Sequence, residues 1–226
     1  MADEMHAHLQ NLRQGLEAQI CLAIDALLPL GGVSRTLHDF EAAFPSITLK
    51  VETETLGGVL ALVRDGVAHV GLTGILIEWP DEIEAVSIGS MTIVPVAAPG
   101  HSLASSNECP TVAAMRDNLQ LALSDRSGTT DGHPMAVHSS RTWKFTDPAM
   151  KLAVLRSGIG WAHMPLHLVQ NDLDRGSLVQ LALPIMPGGD MPCTLLRRRD
   201  LALSRASRYL IDELTANGLG SRETEA

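Results

Sequence analysis

Strands and helices alternate in the first third of the chain, and this alternation restricts the fold more than any other feature of the sequence. An apolar strand pattern at 18–24 is followed by a helical pattern up to Phe44, an alternating strand at 47–54, a short helix at 59–65 and a strand at 68–73. Such a series of strands and helices predicts a parallel sheet with helices on its faces. We therefore expect an α/β fold.

A second series of strands and helices follows a continuous apolar run at 90–98, which ends at Pro99-Gly100. A continuous apolar run is typical of a strand that is covered on both faces. We expect this strand to carry the chain from one lobe into another, and a strand at 193–197 to carry it back. The strand patterns of the second lobe lie at 119–124, 141–145, 160–164 and 178–183.

Charge and composition argue against a nucleic-acid-binding surface. The formal net charge is −9 and aromatic residues make up 3% of the chain, whereas such a surface needs clustered Lys and Arg and, for single strands, aromatic platforms. The dense basic cluster Arg197-Arg198-Arg199 is interpreted as a solvated strand end. No apolar run approaches the roughly 18 residues of a membrane helix, and no signal peptide is visible. We expect a cytoplasmic protein without membrane contact.

The sequence contains no complete catalytic or metal-binding motif. The three cysteines lie far apart and form no CxxC pair, and Cys21 falls in an apolar strand, where we expect it to be a core residue. His163 and His167 have the spacing of a metal pair, but Pro165 between them predicts a junction that points them apart. The sequence also lacks a GxSxG, a P-loop and a GxGxxG after its first strand. We therefore predict no catalytic residue, no metal site and no cofactor.

Four segments resemble, in order and spacing, the effector-binding domain of LysR-type transcriptional regulators. They are an apolar strand followed by IDALLP, then FEAAFPSITLKVETETLGGVLALVRDGVAHVGLT, VPVAAPGHSLA and KLAVLRSGIGWAHMPLHLVQNDLDRGSLVQL. Together they cover nearly the whole chain from Gln19 to Asn217. The resemblance implies two Rossmann-like lobes joined by two crossover strands, as in type 2 periplasmic binding proteins, with a small inducer in the cleft between the lobes.

The resemblance also implies how the chain is divided. Lobe I would cover 16–94 and 196–219, lobe II would cover 98–192, the hinge crossings would lie at 95–97 and 193–195, and the ends would be a linker-helix remnant at 1–15 and a tail at 220–226. The winged helix-turn-helix of the family has no counterpart in this sequence. We expect DNA contact only through that missing domain, and by analogy a homodimer or tetramer.

Candidate ligand contacts are the residues at strand ends, because ligands bind beyond the carboxyl ends of strands in open α/β sheets. By resemblance, the inducer also meets the start of the first helix, where Asp25 replaces the Ser or Thr of many family members. Asp25 either accepts hydrogen bonds from a cationic or hydroxylated ligand or caps the helix. The candidate residues are Asp25, Ala26, Leu27, Thr55, Leu56, Thr73, Gly74, Pro95, Ser124, Ser127, Trp143 and Met164.

Two of these candidates have a second interpretation. Ser127 either donates a hydrogen bond to the ligand or belongs to a plain turn. Trp143 either forms a wall of the cleft or packs inside its lobe, whereas Trp161 is expected in the core.

The sequence therefore predicts the effector-sensing regulatory domain of a LysR-type transcription factor and not an enzyme. A small molecule of unknown identity would change the angle between the lobes and reorient attached DNA-binding domains. The alternative is a free-standing solute-binding protein of the same bilobal fold, which we would expect to carry a secretion signal.

Overall fold

The computed structural model describes residues 19–74, 78–105, 109–129 and 137–219. The predicted linker-helix remnant at 1–15 and the predicted tail at 220–226 lie outside the described residues. The chain forms two compact units. Unit 1 comprises the residues up to Glu54, the segment Gly58–Ser90 and the residues from Pro192 onwards. Unit 2 comprises Thr55–Gly57 and Met91–Met191.

Unit 1 is built around the central strand β1 (Gln19–Asp25). This strand pairs in parallel with β2 (Thr48–Glu54) on one side and with β3 (Val70–Thr73) on the other. Helix α1 (Gly31–Ala43) connects β1 to β2, and α2 (Gly57–Arg64) connects β2 to β3. The parallel pairing and the intervening helices confirm the predicted α/β fold class.

Two long strands and the last helix complete unit 1. Strand β3 pairs antiparallel with β9 (Gly189–Arg198), and β4 (Ile83–Ala97) is the next strand in the order β2-β1-β3-β9-β4. Helix α6 (Arg205–Asn217) packs against α1, where the ring centroids of Phe40 and Tyr209 are 6.4 Å apart. Strands β4 and β9 each contribute residues to both units.

Helix α1 begins two residues after Pro29. The N-cap residue is Leu30, and its side chain makes no capping hydrogen bond. Gly32 lies so close to Gly218 that a Cβ atom on Gly32 would sit 2.2 Å from the carbonyl oxygen of Gly218. The first turn of α1 therefore requires a glycine where it meets the end of α6.

Unit 2 has the strand order β4-β7-β5-β6. Strand β7 (Trp161–Pro165) pairs antiparallel with β4, whereas β5 (Gln120–Leu123) pairs in parallel with β6 (Thr142–Phe145) and, at one residue pair, with β7. The short strand β8 (Val179–Gln180) also pairs with β4. The helices are α3 (Val112–Asp117), α4 (Pro148–Arg156) and α5 (Leu166–Arg175).

Local signals in the sequence place the helices of unit 2 well. The Asp147 Oδ1 accepts a hydrogen bond from the Ala149 N–H at 2.8 Å, and Pro148 occupies the first turn of α4. Asp at the N-cap followed by Pro is a helix start that residue types alone favour. Gly176 ends α5 with a φ of 69°, a left-handed conformation that glycine adopts without strain.

The long strands differ from the sequence expectation. Strand β4 begins at Ile83, well before the predicted run at 90–98, and passes through Gly89, whose φ is 123°. Strand β9 begins at Gly189, before the predicted strand at 193–197. Pairing with neighbouring strands decides where these strands end, and local propensity does not encode that pairing.

Strand β7 separates two apolar clusters in unit 2. Ala162 and Met164 pack with Leu155 of α4, while Trp161 on the opposite face packs with Met115 and Leu181. Complete burial of one such large aliphatic side chain contributes about 1.5–3 kcal/mol. The alternation along β7 thus assigns each side chain to one face of the sheet.

Candidate functional site

The carboxyl ends of β1 and β3 in unit 1 bring together Asp25 and Thr73. Ile24 lies opposite Leu72 in the parallel register, so the residues that follow them stand side by side at one edge of the sheet. Asp25 is 1% exposed and Thr73 is 0% exposed. A buried carboxylate and a buried hydroxyl therefore lie at the edge where ligands bind in open α/β sheets.

Asp25 stabilises the turn that follows β1. Its Oδ1 accepts a hydrogen bond from the Leu27 N–H at 2.9 Å, and its carbonyl oxygen accepts one from the Leu28 N–H at 3.0 Å. The interpretation of Asp25 as the helix cap is wrong, because α1 begins only at Gly31 with Leu30 as its N-cap residue. The carboxylate is held by a turn of the Asx type.

Thr73 carries an unsatisfied polar atom. Its Oγ1 has no hydrogen-bond partner among the residues that the structure describes. A buried hydroxyl without a partner costs about 1–3 kcal/mol. A ligand group that bonds to this oxygen would recover the cost.

The other unit 1 candidates shape the same edge without offering a polar side chain. The Ala26 N–H donates to the Glu54 carbonyl oxygen at 2.8 Å, which extends the pairing of β1 with β2 beyond the strand. Leu27 is 6% exposed, and Gly74 is also buried. Asp25 and Thr73 therefore supply the polar chemistry of this group of predicted residues.

In unit 2, the segment Thr55–Gly57 contacts the loop that follows β5. The Thr55 Oγ1 donates to the Ser124 carbonyl oxygen at 3.1 Å, and the Gly57 N–H donates to the Asp125 Oδ2 at 3.3 Å. Leu56 between them has a φ of 51°, which is uncommon and costly for a residue with a branched side chain. Three of the predicted residues, Thr55, Leu56 and Ser124, are thus brought together here.

Asp125 organises the loop after β5, although the sequence did not single it out. Its Oδ1 accepts hydrogen bonds from the Ser127 N–H at 2.8 Å, the Gly128 N–H at 2.9 Å and the Ser127 Oγ at 2.7 Å. Ser127 is therefore part of a turn, and its hydroxyl is engaged within it. The signal for Asp125 was an Asp placed two residues before a Ser-Gly pair, just after a strand.

The remaining candidates of unit 2 are not brought to one place. Pro95 is buried in β4 opposite His163 of β7. Met164 is fully buried in the apolar cluster with Leu155. Trp143 lies on β6, the outermost strand of the order, and 51% of its surface is exposed. The alternative that Trp143 packs inside its lobe is therefore wrong.

The basic cluster at the end of β9 is largely paired with acidic groups. Arg197 forms an ion pair with Glu84, and Arg198 forms one with Asp200. These contacts agree with a strand end whose charges are neutralised locally.

The described part of the chain contains neither a metal-binding cluster nor a membrane-spanning helix. No group of three or more His, Cys, Asp or Glu side chains suited to a metal ion occurs among the described residues. Within the same residues, every helix is too short or too polar to cross a membrane. His163 lies on β7 and His167 on α5, as the sequence predicted.

Comparisons with known proteins give a family and a fold. The family model described as LysR substrate binding domain matches residues 13–218. The effector binding domain of QuiR, solved in complex with shikimate, is 16% identical over 88% of this chain and 96% of that chain, with a TM-score of 0.69. No match is found among curated protein sequences.

Two other solved structures are similar. The CcmR regulatory domain from Synechocystis, in complex with 2-PG, is 17% identical over 88% of this chain and 97% of that chain, with a TM-score of 0.66. Full-length LysG from Corynebacterium glutamicum, with bound effector Arg, is 20% identical over 96% of this chain and 72% of that chain, with a TM-score of 0.65. At these identities the structures support the fold alone.

Proposed function

Because the chain belongs to the LysR substrate-binding domain family, we propose that it senses a small-molecule effector and regulates transcription through DNA-binding domains of the LysR type. The family match favours this function over a free-standing solute-binding protein. The similar structures are effector-binding and regulatory domains, which also favours a sensor over an enzyme. Effector binding acts by shifting the population between two conformations, which requires different affinities for them.

The effector is a small molecule with a cationic or hydroxylated group that meets Asp25 and Thr73. The observation that carries this proposal is a buried carboxylate beside a buried hydroxyl without a partner among the described residues. A carboxylate at this position repels a carboxylate ligand and attracts an amine, a guanidinium or a hydroxyl group.

The protein acts as a homodimer or tetramer in the cytoplasm, as expected from the symmetry of regulators that bind paired DNA half-sites. Light scattering on a size-exclusion column tests the assembly. A monomer at high protein concentration would contradict this part of the proposal.

A binding experiment with three variants tests the proposed site. L-Arginine, agmatine and shikimate are titrated into the wild-type protein and into Asp25→Asn, Thr73→Val and the control Asp81→Asn, which alters an exposed carboxylate of unit 1. Asparagine keeps an oxygen that accepts from the Leu27 N–H but loses the charge, so folding should be preserved. Binding is followed by calorimetry and by the rise in melting temperature, which grows with ligand concentration relative to Kd.

We expect Asp25→Asn to weaken binding of a cationic ligand by about 10- to 100-fold, the usual scale for loss of one charge-assisted hydrogen bond. Asp81→Asn should bind as the wild type does. Equal affinity in wild type and Asp25→Asn for every ligand that binds would remove Asp25 from the site.

A further inference from the structure

A group of basic and polar side chains in unit 2 has no part in the function proposed above. Trp161 and His163 stand two residues apart on β7 and point to the same face, with ring centroids 5.6 Å apart. Gln120 lies opposite Trp161 on β5, and its Oε1 accepts hydrogen bonds from the N–H groups of His138, at 2.8 Å, and Ser139, at 3.1 Å. These contacts bring the backbone of His138 to the face of the sheet on which Trp161 and His163 lie, and the charge of His138 is felt at His163.

The loop that carries His138 is fixed in place. The Ser139 Oγ donates to the Arg116 carbonyl oxygen at 2.9 Å, and the Ser140 Oγ donates to the same oxygen at 2.8 Å. The loop is therefore anchored both to the end of α3 and to Gln120. Such double anchoring gives the imidazole of His138 a defined position relative to β7.

Three buried polar atoms in this group have no partner among the described residues. They are the Trp161 Nε1, the His138 Nε2 and the His163 Nδ1. Trp161 is 0% exposed, and its indole nitrogen is a donor only. More than about 90% of buried polar atoms in native proteins are paired, so three such atoms in one place indicate an absent binding partner.

The protonation of His163 is constrained by its second nitrogen. The Nε2 atom lies 2.8 Å from the Met186 carbonyl oxygen, which only accepts, so Nε2 carries a hydrogen. The Nδ1 atom is therefore the position that gains a proton when the ring becomes charged. Together with the indole N–H of Trp161, a charged His163 presents two donors on the same face.

Lys151 adds a positive charge behind this group, because α4 packs through Leu155 on the opposite face of β7, the face of Ala162 and Met164. Its side chain is 3% exposed, and its Nζ donates to the His163 carbonyl oxygen at 2.8 Å. Burial lowers the pKa of Lys151 to about 7. Burial also lowers the pKa of His163, and the positive charges of Lys151 and His138 lower it further.

Among the described residues, these bases have no acidic partner. The pKa of His138 is lowered by burial and by the positive charge of Arg116. Within the described residues, no Asp or Glu forms an ion pair with Lys151, His138 or His163. In a chain with a net charge of −9, a group of bases without an acidic partner among the described residues favours the binding of an external anion.

We propose that His138, Trp161 and His163 form a binding site for a small oxyanion, a carboxylate or a phosphate group, and that Lys151 supports it with a positive charge. An oxyanion accepts from the indole N–H and from both protonated imidazoles, and such charge-assisted bonds are about twice as strong as neutral ones. The site lies in unit 2 and does not depend on Asp25 or on the effector proposed above.

Access to the site involves two loops. The segments at 137–140 and 184–188 have no regular helix or strand, and local opening of such segments costs much less than global unfolding. The 184–188 segment also contains Met186, whose φ of 51° is strained and whose carbonyl oxygen holds His163. Entry of an anion therefore needs only local movement.

The three tryptophans give a direct readout of this site. In protein labelled with 15N, each indole N–H gives one NMR signal, and Trp161→Phe identifies the signal of Trp161. Sodium phosphate and sodium acetate are titrated separately near pH 6, with sodium chloride at matched ionic strength as the reference. We expect a saturable shift of the Trp161 signal, with the signals of Trp79 and Trp143 unchanged. A response to phosphate alone or to acetate alone identifies the preferred anion.

Variants separate a specific site from general salt effects. His163→Gln and His138→Gln should each weaken anion affinity by roughly tenfold or more, since each removes a charge-assisted donor. His167→Gln should not, although burial also lowers the pKa of His167. Affinity should also fall as pH rises, because the imidazoles, whose pKa values lie below the ordinary value of about 6.5, lose their protons.

The proposal is overturned if neither anion shifts the Trp161 signal, or if chloride shifts it equally. An unchanged affinity in both His163→Gln and His138→Gln also overturns it. Each of these results leaves the effector proposal for Asp25 untouched, because that proposal is tested with other ligands and other variants.

Discussion

Units 1 and 2 each bury an ionisable side chain against their sheet, and they handle it differently. In unit 1, Asp25 accepts a backbone hydrogen bond at the end of β1. In unit 2, Lys151 donates to one carbonyl oxygen of β7, and burial lowers its pKa to about 7. The backbone N–H satisfies one carboxyl oxygen of Asp25, whereas burial without an acidic partner among the described residues favours the neutral form of Lys151.

This difference predicts opposite ligand chemistry for the two units. The carboxylate of Asp25 suits a cationic or hydroxylated ligand. The bases around His163 suit an anion, because an added negative charge restores the protonated forms that burial disfavours. The variants below test this contrast through folding stability, from the largest expected effect to the smallest.

Replacing Lys151 by Met should stabilise the protein below about pH 7 by roughly 2–4 kcal/mol, because the folded state there must hold a buried charge. The wild type binds fewer protons when folded than when unfolded between about pH 7 and pH 10. Its unfolding free energy therefore rises with pH in that window, and the rise should disappear in Lys151→Met. Loss of the bond to the His163 carbonyl oxygen offsets about 1 kcal/mol of the gain.

Urea unfolding at pH 6, 8 and 10 measures this effect, and Lys144→Met is the control because Lys144 is exposed. If Lys151→Met unfolds more easily than wild type at pH 6, the ammonium has a counter-charge, and the contrast between the units fails.

Replacing Asp25 by Ala should destabilise the protein by about 1–3 kcal/mol, since the Leu27 N–H loses its acceptor in a buried turn. Asp25→Asn should lose less, because its amide oxygen still accepts. Thermal unfolding of both variants gives the comparison. Equal losses would mean that the charge of Asp25, and not its hydrogen bond, stabilises the turn.

Asp172 shows how a largely buried carboxylate behaves in unit 2 when it has a partner. Hydrogen bonds from Arg156, at 2.7 and 2.9 Å, and then from Ser177 lower the pKa of Asp172 against the effect of burial. A lowered carboxyl pKa contributes stability at neutral pH that is lost as pH falls through the folded pKa.

Asp172→Asn should therefore lower the unfolding free energy by about 1 kcal/mol at pH 7. The solvent exposure of Arg156 keeps this value small. The loss should be smaller below about pH 3. Asp174→Asn, an exposed neighbour, is the control for urea unfolding at both pH values. A cost that does not change with pH would show that the ion pair is not its origin.

Thr73→Val should raise the unfolding free energy by about 0.5–1 kcal/mol, because it removes a buried hydroxyl without a partner in the described chain. The matched control is Thr36→Val. The buried Thr36 Oγ1 accepts a hydrogen bond from the Asn217 Nδ2 at 3.2 Å, so its removal should lower the unfolding free energy. Thermal unfolding compares the two. If both variants lose stability alike, the Thr73 hydroxyl has a hydrogen-bond partner in solution. Its assignment to the effector site is then weakened.

The sequence predicted the unit 1 edge better than the unit 2 cluster for a physical reason. Asp25 and Thr73 follow strands directly, and parallel strands end at a common edge, so strand positions alone place them together. His138, Lys151 and Trp161 come from a loop, a helix and a strand, and only packing brings them to His163. The sequence did contain a signal for the burial of Lys151, because Lys151 precedes the buried Leu155 by one helical turn and thus faces the core.

What the sequence determined by itself was the alternation of strands and helices, the capped start of α4 at Asp147 and the family to which the chain belongs. These depend on local periodicity, capping chemistry and residue order. The tertiary structure decided the continuous course of β4 through Gly89, the Asx turn of Asp25 and the partners of each buried polar atom. Such features depend on contacts between residues far apart in the chain, which no local pattern records.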